Sequence, residues 1–386
     1  MSTNPSTATS VTAIAERTAG RVADDVDAAA RFPGETFAEL RASGALGILV
    51  PERLGGRGAD LSDAAEDVRI LAQYCGSSAL ILAMHHIQVA SLMRHGPGPT
   101  LERVVPPLLR GELLLANANS EVGLHGERRR SICALEPEGD AQRLEKHAST
   151  VSYGEYADGI LATARPDAAS PPNQQVLAVC LPSTFTLEPA GEWDTLGMRG
   201  TCSRPGLLRA VLAPELILTD FFDIFVRTGI GTSAVLLSSV WLGIAEAAGK
   251  RAHETVRALI RKSGPPAPGT PPPTRAVRLA ELNVVLHQLR AIVTGGAALW
   301  ERVKDRDEVS ELRFGAHMDN LKVGSSNLAV EIVQRATLIC GLDGYQNHQE
   351  QSLGRLARDV AAAPLMINND RTLEAQALTL LIRKEL

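Results

Sequence analysis

The sequence has few aromatic side chains and no excess of positive charge, and each shortage argues against a class of function. Phe, Trp and Tyr make up only 4% of the 386 residues, too few for the stacking surfaces of single-stranded nucleic-acid binders. The net charge is −5, from 39 Lys and Arg against 44 Asp and Glu. Because binding to phosphate backbones requires a basic surface, we predict no nucleic-acid partner.

Paired cysteines and common catalytic motifs are also missing. The five cysteines form no C-x-x-C pair, so neither a zinc site nor a disulfide framework is indicated. The histidines do not take the spacing of metal ligands, and we predict no metal. The motifs H-E-x-x-H, G-x-S-x-G and G-x-G-x-x-G and the P-loop are absent. Free buried thiols are typical of a reducing compartment, which favours a cytoplasmic protein.

Long hydrophobic runs are rare. Met1–Ser10 is rich in Ser and Thr and has no apolar core, so we expect a disordered tail over 1–10 and no secretory signal. Thr228–Ala245 is uncharged over a length that raises the question of a membrane span. It contains Thr, Ser and Gly and little continuous Leu, Ile or Val. We therefore interpret it as a buried helix of a bundle and predict no membrane partner.

Three regions differ in the period of their apolar residues. Residues 11–112 show helical spacing, whereas 113–220 contain short apolar runs such as Gly159–Ala164, separated by turn residues. Helical spacing returns over 221–386, interrupted at the Pro- and Gly-rich stretch 264–273. We predict a mainly α fold with a central β-barrel domain between an N-terminal helical domain and a C-terminal helical bundle.

Four segments resemble, in order, motifs of the acyl-CoA dehydrogenase superfamily: Val50–Gly58, Trp193–Thr201, Cys340–Tyr345 and Leu353–Asp359. The Trp193–Thr201 segment reads WDTLGMRGT and is the most specific of them. That family has N-terminal helices, a middle β-barrel and a C-terminal four-helix bundle. The resemblance implies FAD as cofactor, an acyl thioester as substrate, and a homodimer or homotetramer.

The resemblance also implies which residues touch the flavin. Ser120 opens the segment that matches the family's flavin loop, and Thr150 and Ser152 stand where a barrel strand packs on the ring. Gly341 and Gly344 lie in a glycine loop between helices that can approach a pyrophosphate. These five residues are the predicted cofactor-binding set. Four positions depart from the family pattern, since Gly126 and Glu127 replace a Ser-Asp pair, Leu338 replaces a Gln and Thr150 replaces an aromatic ring.

The usual catalytic base is missing. Dehydrogenation of a thioester needs a carboxylate to remove the α-proton. The family's two positions for this base fall on Ile367 and near Ser233, and neither is a carboxylate. Asp370 or Glu374 could substitute only if the alignment slips by a turn or two.

A second branch of the same superfamily consists of flavin monooxygenases, such as dibenzothiophene monooxygenase. Members of this branch carry a His in an N-terminal helix, a Ser in the barrel strand and a His near the C-terminus. His85 or His86 and Ser152 match the first two, and Asn369 lies in the region of the third. Adjacent helical residues point about 100° apart, so at most one of the two histidines faces a given pocket. His86, His85, Ser152 and Asn369 are the predicted catalytic residues.

Three functions remain open from the sequence. The first is a flavin-dependent oxidoreductase acting on an acyl thioester, carried on coenzyme A or on an acyl carrier protein, without the usual catalytic Glu. The second is a monooxygenase that uses oxygen and reduced flavin, FAD or FMN, supplied by a flavin reductase. The third is a non-catalytic homologue that has lost flavin.

Overall fold

The computed structural model describes residues 10–124, 129–264 and 270–382. Parts of three expected segments lie outside the described residues. They are residues 1–9 of the expected tail, residues 125–128 of the expected flavin loop, which include Gly126 and Glu127, and residues 265–269 of the Pro-rich connection. Ser10 is described, and its hydroxyl oxygen accepts a hydrogen bond from the Ala13 N–H at the start of the first helix.

The N-terminal region is helical. Its helices are α1 (Val11–Ile14), which continues through a π-helical turn (Ala15–Ala19) into α2 (Gly20–Ala29), then α3 (Gly34–Ser43), α4 (Leu61–Ala72), α5 (Gly76–His95) and α6 (Gly98–Leu109). A reciprocal capping box starts α4, because the Asp60 carboxylate accepts from the Asp63 N–H and the Asp63 carboxylate accepts from the Asp60 N–H. Helix α5 is buried around most of its circumference and forms the core of this region.

The middle region forms two four-stranded sheets. Its strands are β1 (Leu115–Ala118), β2 (Glu136–Glu138), β3 (Ala141–Ala148), β4 (Gly159–Ala164), β5 (Val176–Cys180), β6 (Phe185–Pro189), β7 (Gly206–Leu212) and β8 (Ile217–Leu218). The strand orders are β1-β4-β5-β8 and β2-β3-β7-β6, and only the β1–β4 pair is parallel. Strands β4 and β5 are buried along their whole length, as expected for central strands covered on both faces.

The C-terminal region is helical again, which confirms the predicted order of helices, sheets and helices. It contains α7 (Phe221–Ile224), a π-helical turn (Phe225–Gly229), α8 (Ile230–Ser263), α9 (Thr274–Val303), α10 (Leu312–Cys340), α11 (Leu342–Tyr345), α12 (Gly354–Val360) and α13 (Asn369–Ile382). Helix α8 packs against α4, α5, α9 and α10. The continuous helical stretch Phe221–Ser263 is apolar and long enough to cross a membrane, but most of its apolar part is buried inside the protein. The interpretation of Thr228–Ala245 as a buried bundle helix is therefore confirmed.

One joint connects all three regions. The buried Asp359 carboxylate on α12 accepts a hydrogen bond of 2.7 Å from the Met198 N–H in the turn before β7. The preceding Arg358 guanidinium pairs with Asp27 on α2, and the Arg199 Nε donates to the Asp27 carbonyl at 2.8 Å. Gly197 is required beside this joint, because a Cβ there would lie 2.0 Å from the Arg358 carbonyl oxygen.

We predict that Asp359→Ala lowers the free energy of unfolding by about 1–3 kcal/mol, because it leaves the buried Met198 N–H without an acceptor. Asp359→Asn keeps an oxygen at the same place and should lose less. Urea denaturation followed by circular dichroism measures both. Equal losses for the two variants would show that the hydrogen bond does not hold this joint.

Candidate active site

Three of the predicted cofactor residues meet at one edge of the sheets. The Ser120 hydroxyl donates to the Thr150 carbonyl at 3.2 Å, and the Ser203 hydroxyl donates to the Ser152 hydroxyl at 2.8 Å. Two backbone hydrogen bonds hold the turn that carries Thr150 and Ser152. The Val151 N–H donates to the Arg204 carbonyl, and the Tyr153 N–H donates to the Thr201 carbonyl. Thr150 is exposed and Ser152 is half-buried, so this edge can contact a ligand.

Tyr153 anchors this turn from below. Its backbone is left-handed, with φ of 43°, which is unusual for a bulky residue and needs support from its surroundings. The fully buried phenol supplies this support by donating to the Leu115 carbonyl at 2.8 Å. Burial raises the pKa of Tyr153, so the hydroxyl remains a donor. The position of Ser152 therefore depends on its neighbour's bond to β1.

Asn119, between β1 and Ser120, was not predicted from the sequence. Its side-chain Oδ1 is buried and has no hydrogen-bond partner within the described residues. An unsatisfied buried oxygen costs about 1–3 kcal/mol unless a ligand or water supplies a donor. The sequence signal was the pattern LANAN, in which Asn117 and Asn119 interrupt an otherwise small and apolar strand.

His85 has both ring nitrogens engaged. Its Nε2 lies 2.9 Å from the Leu46 carbonyl, and its Nδ1 accepts from the Leu115 N–H at 3.0 Å. Complete burial lowers its pKa to about 4, so the ring is neutral at physiological pH. The neutral ring thus donates to Leu46 and accepts from Leu115, joining α5 to β1. These bonds leave no nitrogen of His85 for a flavin or a substrate, which argues against the catalytic role predicted for it.

One face of α5 runs from the barrel turn to the bundle. Ser77 packs against Gly200 at one end, and His95 at the other end bonds to the Thr228 hydroxyl at 2.8 Å. Residues spaced three, four or seven apart share a helix face, so Met84, Gln88 and Ser91 lie on this side as well. The Gln88 amide and the Ser91 hydroxyl bond back to carbonyls of their own helix.

His86 lies on the opposite side of α5. It follows Ser77 by nine positions, which turns it about 180° from the face defined by Ser77 and His95. Its ring is fully buried, and neither nitrogen has a hydrogen-bond partner among the described residues. Burial lowers its pKa well below the usual value. Its ring centroid lies 5.3 Å from that of His85, whose Nδ1 bonds to β1, and the catalytic role of His86 stays a prediction.

The position expected for the catalytic base lies in a strained turn of the bundle. Ile367 has φ of 48°, which is rare for a β-branched residue, and its side chain packs against the core. The buried Lys322 ammonium on α10 donates to the Ile367 carbonyl at 2.8 Å and to the Asn369 Oδ1 at 2.5 Å. The Asn369 amide nitrogen donates in turn to Ser326 and Asn327. Asn369, predicted as catalytic, is therefore fully engaged in holding this turn.

The barrel loop approaches α10 on the same side. Asp319, one turn before Lys322, is half-buried, and burial raises its pKa to about 6 although the charges of Arg129 and Lys322 oppose the shift. Arg129 belongs to the loop that begins at Ser120. The loop, α10 and the strained turn at Ile367 therefore border one region between the sheets and the bundle.

The two predicted glycines lie elsewhere in the chain. Gly341 ends α10 beside Arg275 of α9, and Gly344 packs against Cys340 within its own turn. Leu338, in place of the family's Gln, is 64% exposed on the same end of α10. The structure thus brings Ser120, Thr150 and Ser152 together and places Gly341 and Gly344 at a separate surface.

The barrel edge has the chemistry expected for a flavin ring. A flavin ring is flat and uncharged over most of its surface and carries both donors and acceptors at its edge. The edge offers the Ser120, Thr150 and Ser152 hydroxyls, which are neutral hydrogen-bonding groups, and the neighbouring Asn119 carries a buried oxygen without a partner among the described residues. These residues fit the ring portion of the cofactor. Leu338, in place of the family's Gln, offers no side-chain hydrogen bond to a cofactor.

We predict a difference in acid stability between the wild type and His85→Gln. The pKa of His85 falls from an ordinary 6.5 to about 4 on folding, so its stabilising contribution is present above pH 6.5 and lost as the pH falls towards 4. Between these values the unfolding free energy of the wild type should drop by about 3 kcal/mol more than that of the variant. Urea unfolding across this range tests it, with the exposed His253→Gln as control; parallel pH profiles would contradict it.

Comparison with known proteins supports this reading of the fold. Residues 5–112 match the acyl-CoA dehydrogenase N-terminal domain, and residues 235–369 match the acyl-CoA dehydrogenase C-terminal domain. A dibenzothiophene monooxygenase of Mycolicibacterium goodii is 27% identical over 345 residues, covering 83% of this chain and 81% of the relative. The probable acyl-CoA dehydrogenase YngJ of Bacillus subtilis is 26% identical over 374 residues, covering 93% and 91%.

A solved structure resembles the whole chain. KijD3, determined in complex with dTDP, superposes with a TM-score of 0.79 at 25% identity and covers 96% of this chain and 95% of its own. Three observations indicate the same family. They are the two domain matches, the order of helices and sheets, and the motifs Trp193–Thr201 and Leu353–Asp359 that build the joint. The chain belongs to the acyl-CoA dehydrogenase superfamily, whose members related to it include both dehydrogenases and flavin monooxygenases.

Proposed function

We propose that this protein is a flavin-dependent monooxygenase that acts on a small molecule with oxygen and reduced flavin. The observation that carries the proposal is Ile367. It stands where a dehydrogenase of this family holds its base, and its side chain packs on the apolar core. The nearby Asn369 amide is occupied by Lys322 and cannot remove a proton. Proton abstraction from a thioester therefore has no group at the expected place.

The remaining features support oxygen chemistry rather than proton abstraction. An oxygenase needs a site that excludes water, with hydrogen-bond donors at the reacting centre. Apolar Ile367 on the bundle side and Met84 on α5 supply walls of that kind. The relative from M. goodii is a dibenzothiophene monooxygenase, and this similarity agrees with the proposal.

The barrel edge has a defined role in this function. Ser120, Asn119, Thr150 and Ser152 would hold the flavin ring. When bound in its reduced form, the flavin supplies the electrons that activate oxygen. The Ser152 hydroxyl oxygen accepts a hydrogen bond from the Ser203 hydroxyl, so the Ser152 O–H can donate to a ligand at this edge. Thr201 lies 2.8 Å from Ser203 and extends this chain of hydroxyls into the buried barrel.

We propose FMN as the cofactor rather than FAD. The difference between the two is the adenosine diphosphate portion, which requires groups that bind pyrophosphate. Leu338 is apolar where the family uses a Gln, and its side chain offers no hydrogen bond. The ring site at Ser120 and Ser152 serves either flavin. The chain therefore retains the contacts that both cofactors share.

A second candidate function is favoured by one observation. Asp319 is half-buried beside the barrel loop, and burial raises its pKa to about 6, in the range useful for a general base. An acyl thioester dehydrogenase would need this carboxylate to replace the family's Glu. The probable acyl-CoA dehydrogenase among the relatives agrees with this alternative.

One experiment separates the two functions. We expect the purified protein to bind FMN at least ten-fold more tightly than FAD, a difference of about 1.4 kcal/mol. With chemically reduced FMN and air, we expect oxygen consumption to rise with an added aromatic substrate such as dibenzothiophene and an oxygenated product to be detected by mass spectrometry. Bleaching of bound flavin by an acyl-CoA without oxygen, lost in Asp319→Asn, would establish the dehydrogenase instead.

A variant links this activity to the barrel edge. Asn119→Ala removes the unsatisfied oxygen, so it should weaken FMN binding about ten-fold while leaving thermal stability unchanged or higher. The exposed Asn173→Ala is the matched control. Fluorescence quenching of FMN measures both affinities. Equal affinities for the two variants would remove Asn119 from the flavin site.

We also propose that the protein is a homo-oligomer assembled through one end of the bundle. Leu338, Leu342 and Tyr345 are 64%, 75% and 75% exposed around the end of α10. Val277 and Val284 of α9 are exposed nearby, and Arg335 pairs with Glu281 between the two helices. A contiguous apolar patch of this kind is typical of an interface. The same patch surrounds Gly341 and Gly344.

Leu342→Glu should therefore lower the oligomeric state, because it places a charge in the centre of the apolar patch. Leu312→Glu changes an equally exposed leucine at the other end of α10 and serves as control. Light scattering after size-exclusion chromatography gives the mass of each. An unchanged mass for Leu342→Glu, or a monomeric wild type, would contradict the proposed interface.

A further inference from the structure

A buried ion pair lies between the two sheets, beside the flavin edge. Glu121 directly follows Ser120, and its carboxylate lies 2.5 Å from the Lys146 ammonium of β3. Lys146 is fully buried and Glu121 is 4% exposed. The Lys146 ammonium also donates to the Thr163 carbonyl at 2.8 Å and to its hydroxyl at 3.3 Å. All three ammonium protons therefore have acceptors, and Lys146 connects β3 to β4 of the other sheet.

The Glu121 carboxylate also closes a loop. It accepts from the Ile132 N–H at 2.7 Å, from the Cys133 N–H at 3.1 Å and from the Ser131 hydroxyl. Residues 131–133 are thus tied to residue 121, so the carboxylate holds together the two ends of the 121–133 loop. Ser120 precedes this loop, and Arg129 lies within it, towards Asp319 of α10.

Burying this ion pair carries a large desolvation free energy, so stability alone does not explain it. Removing two charges from water costs several kcal/mol per ion, and well-packed apolar residues often serve equally well or better. The alternation along β3 places Leu144, Lys146 and Ala148 inward, so an apolar side chain would fit the pattern at Lys146. What an apolar pair could not supply is the acceptor for three donors of the loop.

We propose that Glu121 and Lys146 are a positioning pair, which ties residues 131–133 to residue 121 so that Ser120 stays at the flavin edge, and thereby sets flavin affinity. Neither residue is assigned to the flavin itself. Lys146 fixes the carboxylate to both sheets, and the carboxylate fixes the loop. The inference rests on the proposed flavin binding, but the state of the loop can be measured without flavin.

The test compares four variants. Lys146→Met and Glu121→Gln each leave one buried charge unpaired, so both should lower the thermal midpoint and weaken FMN binding by ten-fold or more. The double variant E121Q/K146M has no unpaired charge and should recover the thermal midpoint. We expect its FMN affinity to remain about ten-fold below that of the wild type. Lys146→Arg, which keeps the charge, should retain more affinity than Lys146→Met.

A second measurement, the rate of trypsin cleavage, reports how accessible the loop is to a protease. Arg129 and Arg130 are exposed cleavage sites for trypsin. Cleavage after them, in the absence of flavin, should be faster in the double variant than in the wild type. The matched control is Glu145→Gln, which breaks an exposed ion pair with Arg209 on the outer face of the same strand and should change neither cleavage nor affinity.

The outcomes separate this inference from the proposed function. A double variant with wild-type FMN affinity and wild-type resistance to trypsin would overturn the positioning role and leave a pair that acts on stability alone. A wild type that binds no flavin, with faster cleavage in the double variant, would overturn the proposed function while showing that the pair holds the loop. Faster cleavage with unchanged FMN affinity would separate the loop from the flavin and also overturn the inference.

Discussion

The hydrogen bond from the Met198 N–H to the Asp359 carboxylate is the contact on which the arrangement of the site depends. Met198 belongs to the turn whose next residues, Thr201 and Ser203, support Ser152 at the barrel edge. Asp359 belongs to α12, which leads directly into the strained turn at Ile367. The bond therefore sets the distance between the two walls of the site, and the ion pair of Arg358 with Asp27 adds the N-terminal helices to the same joint.

The sequence was sufficient to predict the fold because its most specific segments build this joint. Trp193–Thr201 and Leu353–Asp359 are short and contiguous and supply the contacts of the joint, so their resemblance to the family is readable in a divergent chain. Ser120, Thr150 and Ser152 were found in the same way, since each lies in a local motif. The structure brings these three residues together, whereas Gly341 and Gly344, also found through a motif, lie at a separate surface.

Other parts of the site depend on helix rotation and on distant partners, which the sequence does not display. Which face His85 and His86 present depends on the rotation of α5 about its axis, and in the structure His85 bonds to the backbone of Leu46 and Leu115. Asn369 was predicted as catalytic, but its Oδ1 accepts a hydrogen bond from Lys322, which lies 47 residues earlier in the sequence. Asn119 was missed because an unsatisfied oxygen is visible only once its neighbours are in place.

The two end contacts of α5 also restrict how this family can vary in length. Ser77 and His95 are 18 residues apart, which corresponds to five turns and about 27 Å of helix. One inserted residue would rotate the far end by about 100°, so the contact with the barrel turn and the contact with the bundle could not both form. Insertions tolerated here would come in whole turns, and each would move the bundle about 5 Å per turn from the barrel. Helix α5 thus acts as a spacer whose length fixes the width of the site.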